Sequence, residues 1–153
     1  MKNKKNIYAP KHRLEYESQR FENADDRKCL ISFEKILDHK HYGLCLDKKH
    51  LHYKDQNAKK YNTALMNLFR FLCERTWQEI HSIPKNREYG HENFSIDNIK
   101  IQAVKSYFKE LGKTTFDTFR FGSQKFRACG FRQMDIFYLV CIDYDYSLYN
   151  HGS

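Results

Sequence analysis

The sequence predicts an α+β domain, a mainly antiparallel sheet with two principal helices packed on one face. Three observations carry that reading. The chain has 153 residues, the length of one domain, with 41% hydrophobic residues and 12 Phe and 11 Tyr to fill a core. Apolar residues recur at helical spacing between 62 and 111. From 115 onward the pattern changes to aromatic and β-branched runs broken by short polar turns, which marks successive antiparallel strands. Helical and extended segments that are segregated in this way indicate an α+β domain.

Taken in order, residues 1–27 are polar and mixed in charge and read as a mobile basic arm, with room for a short helix over "LEYESQRFENA". The single domain follows over 28–153. "KCLISFEKIL" (28–37) reads as a strand with Leu30, Ser32, Glu34 and Ile36 on one side. "DHKHYG" is a turn and "YGLCL" (42–46) a returning strand, so the two runs predict a hairpin. The spacing of Leu65, Leu68, Phe69, Leu72, Cys73, Thr76 and Ile80 predicts one helix over 62–83, capped by Asn62 or Thr63 and stopped by Pro84. "KNREYGHENF" (85–94) reads as a loop. Ile101, Val104, Phe108 and Leu111 predict a second helix over 99–111, with Gly112 just past its end. Strands are expected over 115–122, 125–133 and 135–143. "IFYLVCI" (136–142) is apolar at both parities, so both of its faces should be buried at the centre of the sheet.

The formal net charge is +8, which favours an anionic partner: nucleic acid, a phosphate-bearing ligand, an acidic protein or an anionic membrane. Mere solubility is the plainer reading of the same charge. No apolar run reaches transmembrane length, and the basic start lacks the apolar segment of a secretory signal, so a cytoplasmic protein is expected. Cys29, Cys45, Cys73, Cys129 and Cys141 show no close spacing and read as buried free thiols. GxGxxG, P-loop, GxSxG and HExxH patterns are absent, and no cofactor is expected.

Arg120, Arg127 and Arg132 lie on the last strands, with Lys125 at the start of the strand that holds Arg127 and Arg132. Alternation sets Arg127 and Arg132 on opposite faces, but a bulge at Gly130 would turn both to one groove that grips phosphate. The competing reading is an edge strand with solvated charges. "DYDYSLYNH" crowds Asp143, Tyr149 and His151 at a strand end, groups able to move protons around a phosphodiester. The same residues also suit an ordinary turn. His81 and His91 flank the loop that holds Arg87, and either could complete a site; helix termination is the other reading of His81, and Trp77 is expected in the core. His39, His41, His50 and His52 form two HxH pairs, but no carboxylate or cysteine pattern completes a metal motif, and no metal is expected there. They read as basic, aromatic-bearing loops.

"FRACGFR" followed by "FYLVCIDYD", in this order of elements, resembles the RelE/HigB-like superfamily of small bacterial toxins. The resemblance covers residues 28–151 in element order and about the last 30 in residue pattern. It implies a RelE-like topology and a metal-independent endoribonuclease acting on mRNA, usually on the ribosome, held inactive by an antitoxin. Arg120, Arg127 and Arg132, with Lys125 and Arg87, would bind RNA, and His151, Asp143 and Tyr149, with His81 or His91, would handle protons. The alternative is a non-catalytic basic module that binds nucleic acid or an acidic protein, such as a defence-system or phage accessory protein.

Overall fold

A strand that is apolar on both faces needs cover on both sides, and that requirement sets the architecture. The computed structural model describes residues 24–151. Residues 1–23 of the expected arm over 1–27, and all but the last residue of the expected helix over 14–24, lie outside the described residues. Five strands form one mixed sheet: β1 (Leu30–Ser32), β2 (His91–Ser95), β3 (Thr115–Phe121), β4 (Phe126–Gln133) and β5 (Ile136–Asp143), in the order β1-β5-β4-β3-β2. β1 runs parallel to β5, and the remaining pairs are antiparallel. Among the described residues three α-helices pack on this sheet: α1 (Asp55–Cys73), α2 (Trp77–His81) and α3 (Gln102–Glu110). The fold class is α+β, as the sequence predicts. No helix among the described residues is long and apolar enough to cross a membrane.

The helices do not share one face. Leu65, Leu68 and Leu72 of α1, with Trp77 and Ile80 of α2, pack on Phe119, Phe121, Ala128, Phe137 and Leu139. Val104 and Phe108 of α3 pack with Leu148 and Tyr149 on Phe116, Cys129, Phe131, Val140 and Cys141 of the opposite face. Both parities of β5 therefore meet a core.

A register shift between Cys129 and Gly130 leaves Val140 as the extra residue, so the bulge lies on β5 and β4 alternates regularly. Gly130 is required by close approach: a Cβ there would lie 1.9 Å from the Tyr138 carbonyl oxygen. Arg127 and Arg132 consequently point to opposite faces, contrary to the expectation of one shared groove.

The expected hairpin over 28–46 does not form. Only Leu30–Ser32 is strand, and residues 33–54 run as an irregular segment along the edge of β5. The Leu37 N–H donates to the Val140 carbonyl at 2.8 Å, and the Ile142 N–H donates to the Tyr42 carbonyl at 2.7 Å. These single bonds satisfy the edge of a bulged strand that a regular partner could not follow.

The long helix expected over 62–83 is two helices. α1 starts earlier, at Asp55, and ends at Cys73. Thr76 then caps α2 in a reciprocal box with Glu79, a pattern written in the sequence as "TWQE". Trp77 is fully buried and donates its indole N–H to the Asp135 carbonyl at 2.8 Å. The second expected helix is shorter, at Gln102–Glu110, and Gly112 follows it at φ 74°. β2 occupies part of the region read as a loop. Four cysteines are buried as expected, whereas Cys73 is exposed, and all five are free thiols.

Candidate functional site

The opposed arginines divide the polar groups of the sheet into two constellations. On the α1 face, β2 and β3 pair His91 with Phe119 and Asn93 with Asp117, which sets a histidine and a carboxylate on one surface. His91 Nε2 lies 2.8 Å from Asp117 Oδ1, and Asn93 Nδ2 donates to the same oxygen at 3.0 Å. The backbone N–H of Arg132 donates to Asp117 Oδ2 at 2.9 Å. Burial raises the Asp117 carboxyl, but the hydrogen bonds from His91 and Asn93 outweigh it, and the group stays below the usual carboxylate range. The buried carboxylate thus holds the His91 ring in one orientation.

His81, at the end of α2, sits with its ring centroid 5.2 Å from that of His91. Burial, with His91 and Arg132 close by, lowers its proton affinity, so its imidazole is neutral at pH 7. Arg132 lies with its guanidinium carbon 4.2 Å from the Trp77 ring centroid, donates Nε–H to the Met134 carbonyl at 2.6 Å and pairs through Nη2 with Asp25. Asp25 is an exposed carboxylate whose acidity is raised by that arginine. One buried acid, two imidazoles and one stacked guanidinium therefore meet at a single edge of the sheet.

On the α3 face, Arg120 and Arg127 are directly opposite across β3 and β4, and Arg127 is opposite Asp143 of β5. Arg127 is 3% exposed and donates Nη1–H to the carbonyls of Gln124 at 2.7 Å and Phe126 at 3.0 Å. Arg120 pairs with Glu92 at 3.4 Å. The Asp143 side chain is fully buried and accepts from the backbone N–H groups of Asp145 and Ser147 at 3.3 and 3.2 Å, and of Leu148 at 3.3 Å. His151 Nε2 lies 3.2 Å from Asp143 Oδ2, and its ring stacks on Tyr149 at 4.0 Å. Tyr149 has no exposure, and burial raises its phenol well above the ordinary value.

The expected His151, Asp143, Tyr149 and Arg127 are thus gathered around one strand end, but three of the four are sealed. Asp143 staples the chain after β5, Tyr149 fills the core and Arg127 ties the β3–β4 turn. A buried phenol and a buried carboxylate do not meet a substrate in this arrangement. The imidazoles beside the half-buried guanidinium of Arg132 are His81 and His91, and Asp117 is the partner that sequence reasoning missed. Its signal was a lone carboxylate inside the aromatic run "TFDTFRF".

Lys125 is exposed and lines a cleft of about 880 Å³ with Lys59, Lys60, Tyr89 and Phe126. Arg87 is exposed in the loop after α2. The HxH pairs also separate: His39 Nδ1 accepts from the backbone N–H of His41, and His50 is buried against the Gly43 carbonyl. His41 and His52 instead converge on Asp145, a carboxylate 104 positions from His41. No protein-family model, no curated protein and no solved structure matches the chain.

Proposed function

We propose that the chain is a toxin-like, metal-independent endoribonuclease whose acid–base site is His81, His91, Asp117 and Arg132. One observation carries the reading: two imidazoles, one fixed by a buried carboxylate, lie beside a half-buried guanidinium in a protein of net charge +8. RNA supplies its own nucleophile, so the protein needs only a base, an acid and a cation. His81, neutral at pH 7, takes the 2′-hydroxyl proton. O2′ bonds to phosphorus as the bond from phosphorus to O5′ breaks, and His91 delivers a proton to O5′. The products are a 2′,3′-cyclic phosphate and a 5′-hydroxyl. Arg132 stabilises the charge that gathers on the non-bridging oxygens.

The resemblance to RelE/HigB-like toxins makes mRNA on the ribosome the natural substrate, an acidic antitoxin the natural partner and the cytoplasm the natural location. Asp25 holds the position on Arg132 that a phosphate takes, so substrate binding displaces it. The lysine cleft at the α1 end, with the half-buried Tyr89 as a ring at its wall, favours a second reading as a non-catalytic module for nucleic acid.

The two readings separate in one assay of free RNA and of translated mRNA in EDTA. The nuclease reading expects cleavage that His81→Ala and His91→Ala each reduce by about 10²- to 10⁴-fold. Salt-sensitive binding without cleavage of either substrate would reject it in favour of the binding module.

A further inference from the structure

We propose that His41, His52 and Asp145 form a site for one divalent transition-metal ion of the zinc type. The inference is independent of the nuclease reading and concerns a different end of the sheet.

His41 Nε2 lies 2.9 Å and His52 Nε2 3.5 Å from the same oxygen, Asp145 Oδ2, and the three ligand atoms all lie within 4.8 Å of one another. Ligand atoms about 2.1 Å from a tetrahedral zinc ion stand roughly 3.4 Å apart, so shifts of under about an ångström admit the ion. Two imidazoles and one carboxylate are a donor set that zinc accepts, with a fourth position left for water.

Three further features distinguish this cluster from a chance ion pair. His52 Nε2 is buried and has no hydrogen-bond partner among the described residues. A buried ring nitrogen without a partner is costly unless something binds it. The other Asp145 oxygen, Oδ1, accepts from the backbone N–H of Ser147 at 3.3 Å and from the Ser147 hydroxyl, which leaves Oδ2 aimed at the imidazoles. That hydroxyl oxygen also lies 2.8 Å from the hydroxyl of Tyr42, whose ring stacks on His41 at 4.2 Å. Carboxylates and imidazoles held by a second layer of contacts are the usual support of a metal site.

The lysines that flank these histidines in sequence, Lys40, Lys48, Lys49 and Lys54, are all exposed. The His41, His52 and Asp145 side chains retain 22, 22 and 37% exposure, so the cluster lies close to the surface. Bound there, it clips the irregular segment 33–54 to the turn after β5.

The test uses the full chain, stripped with EDTA and dialysed, then titrated with zinc chloride by calorimetry. One Zn²⁺ per chain is expected, with a Kd in the micromolar range or tighter. His41→Ala, His52→Ala and Asp145→Asn should each weaken it by at least about tenfold. Because a variant can lose its fold, the wild-type protein is also followed through its imidazole nitrogen resonances. Zn²⁺ should move the Nε2 signals of His41 and His52 and leave those of His81 and His91 in place. Absence of binding below about 1 mM, binding that folded His41→Ala and His52→Ala variants retain, or shifts at other imidazoles alone would each overturn the assignment.

Discussion

At the scale of single residues, the chemistry turns on which polar groups keep solvent access. Arg132 and Arg127 occupy one strand, yet the first is half-buried over Trp77 and the second is sealed against two carbonyls. Asp25→Asn removes the carboxylate that competes for Arg132, so RNA should bind more tightly, which a titration at fixed salt would detect. Asp117→Asn keeps the shape of the site but loses the charge that orients His91. Cleavage should fall by at least about tenfold while the melting curve shows a folded protein. Arg127→Ala, by contrast, should destabilise by on the order of 2 kcal/mol, because the β3–β4 turn loses its donor. The sequence marks His81, His91, Arg120, Arg127 and Arg132 as candidates for chemistry. Their grouping is not legible there, because it depends on strand register. The carboxylate of Asp117 is 26 positions from His91 and meets it only across a strand pair.

At the scale of elements, short polar signals outweighed hydrophobic periodicity. The apolar stripe from Leu65 to Ile80 reads as one helix, but the Thr76–Glu79 capping box starts a new one, and that turn sets His81 over the sheet. Thr76→Ala should cost about 1 kcal/mol in denaturant unfolding and lower activity through His81. β2 was hidden because "HENFS" has the composition of a loop. It becomes a strand through pairing with β3, with polar His91, Asn93 and Ser95 alternating with Glu92 and Phe94. The strands from Thr115 onward were readable because aromatic and β-branched residues fill them. The sequence points to a bulge at Gly130 on β4, whereas the extra residue is Val140 on β5, since a glycine marks close approach as readily as an extra residue. Gly130→Ala should destabilise by about 1–3 kcal/mol through contact with the Tyr138 carbonyl.

At the scale of the whole molecule, the sheet is a partition. Helices on both faces bury both parities of β5, so acid–base groups collect at the sheet's margins. The α+β class followed from the order of patterns, but the placement of helices on two faces was already implied by "IFYLVCI". Burial lowers the proton affinity of His39, His50, His52 and His81 from the ordinary 6.5. In the unfolded chain these groups bind protons first as pH falls. Stability should therefore be complete above about 6.5 and decline below it, until the folded-state imidazoles also protonate. A second loss should follow below the ordinary 3.8 of aspartate, as Asp117 and Asp145 protonate only at lower pH in the folded protein. Thermal melting from pH 8 to pH 3 checks both steps.

The proposed acid–base cleavage by His81 and His91 is tested most directly by the chemical identity of RNA ends after incubation with the chain in EDTA. Products with 2′,3′-cyclic phosphate and 5′-hydroxyl termini, lost at a site made 2′-deoxy and strongly reduced in His81→Ala and His91→Ala, are expected. Intact RNA, or cleavage that persists in both folded variants, would contradict it.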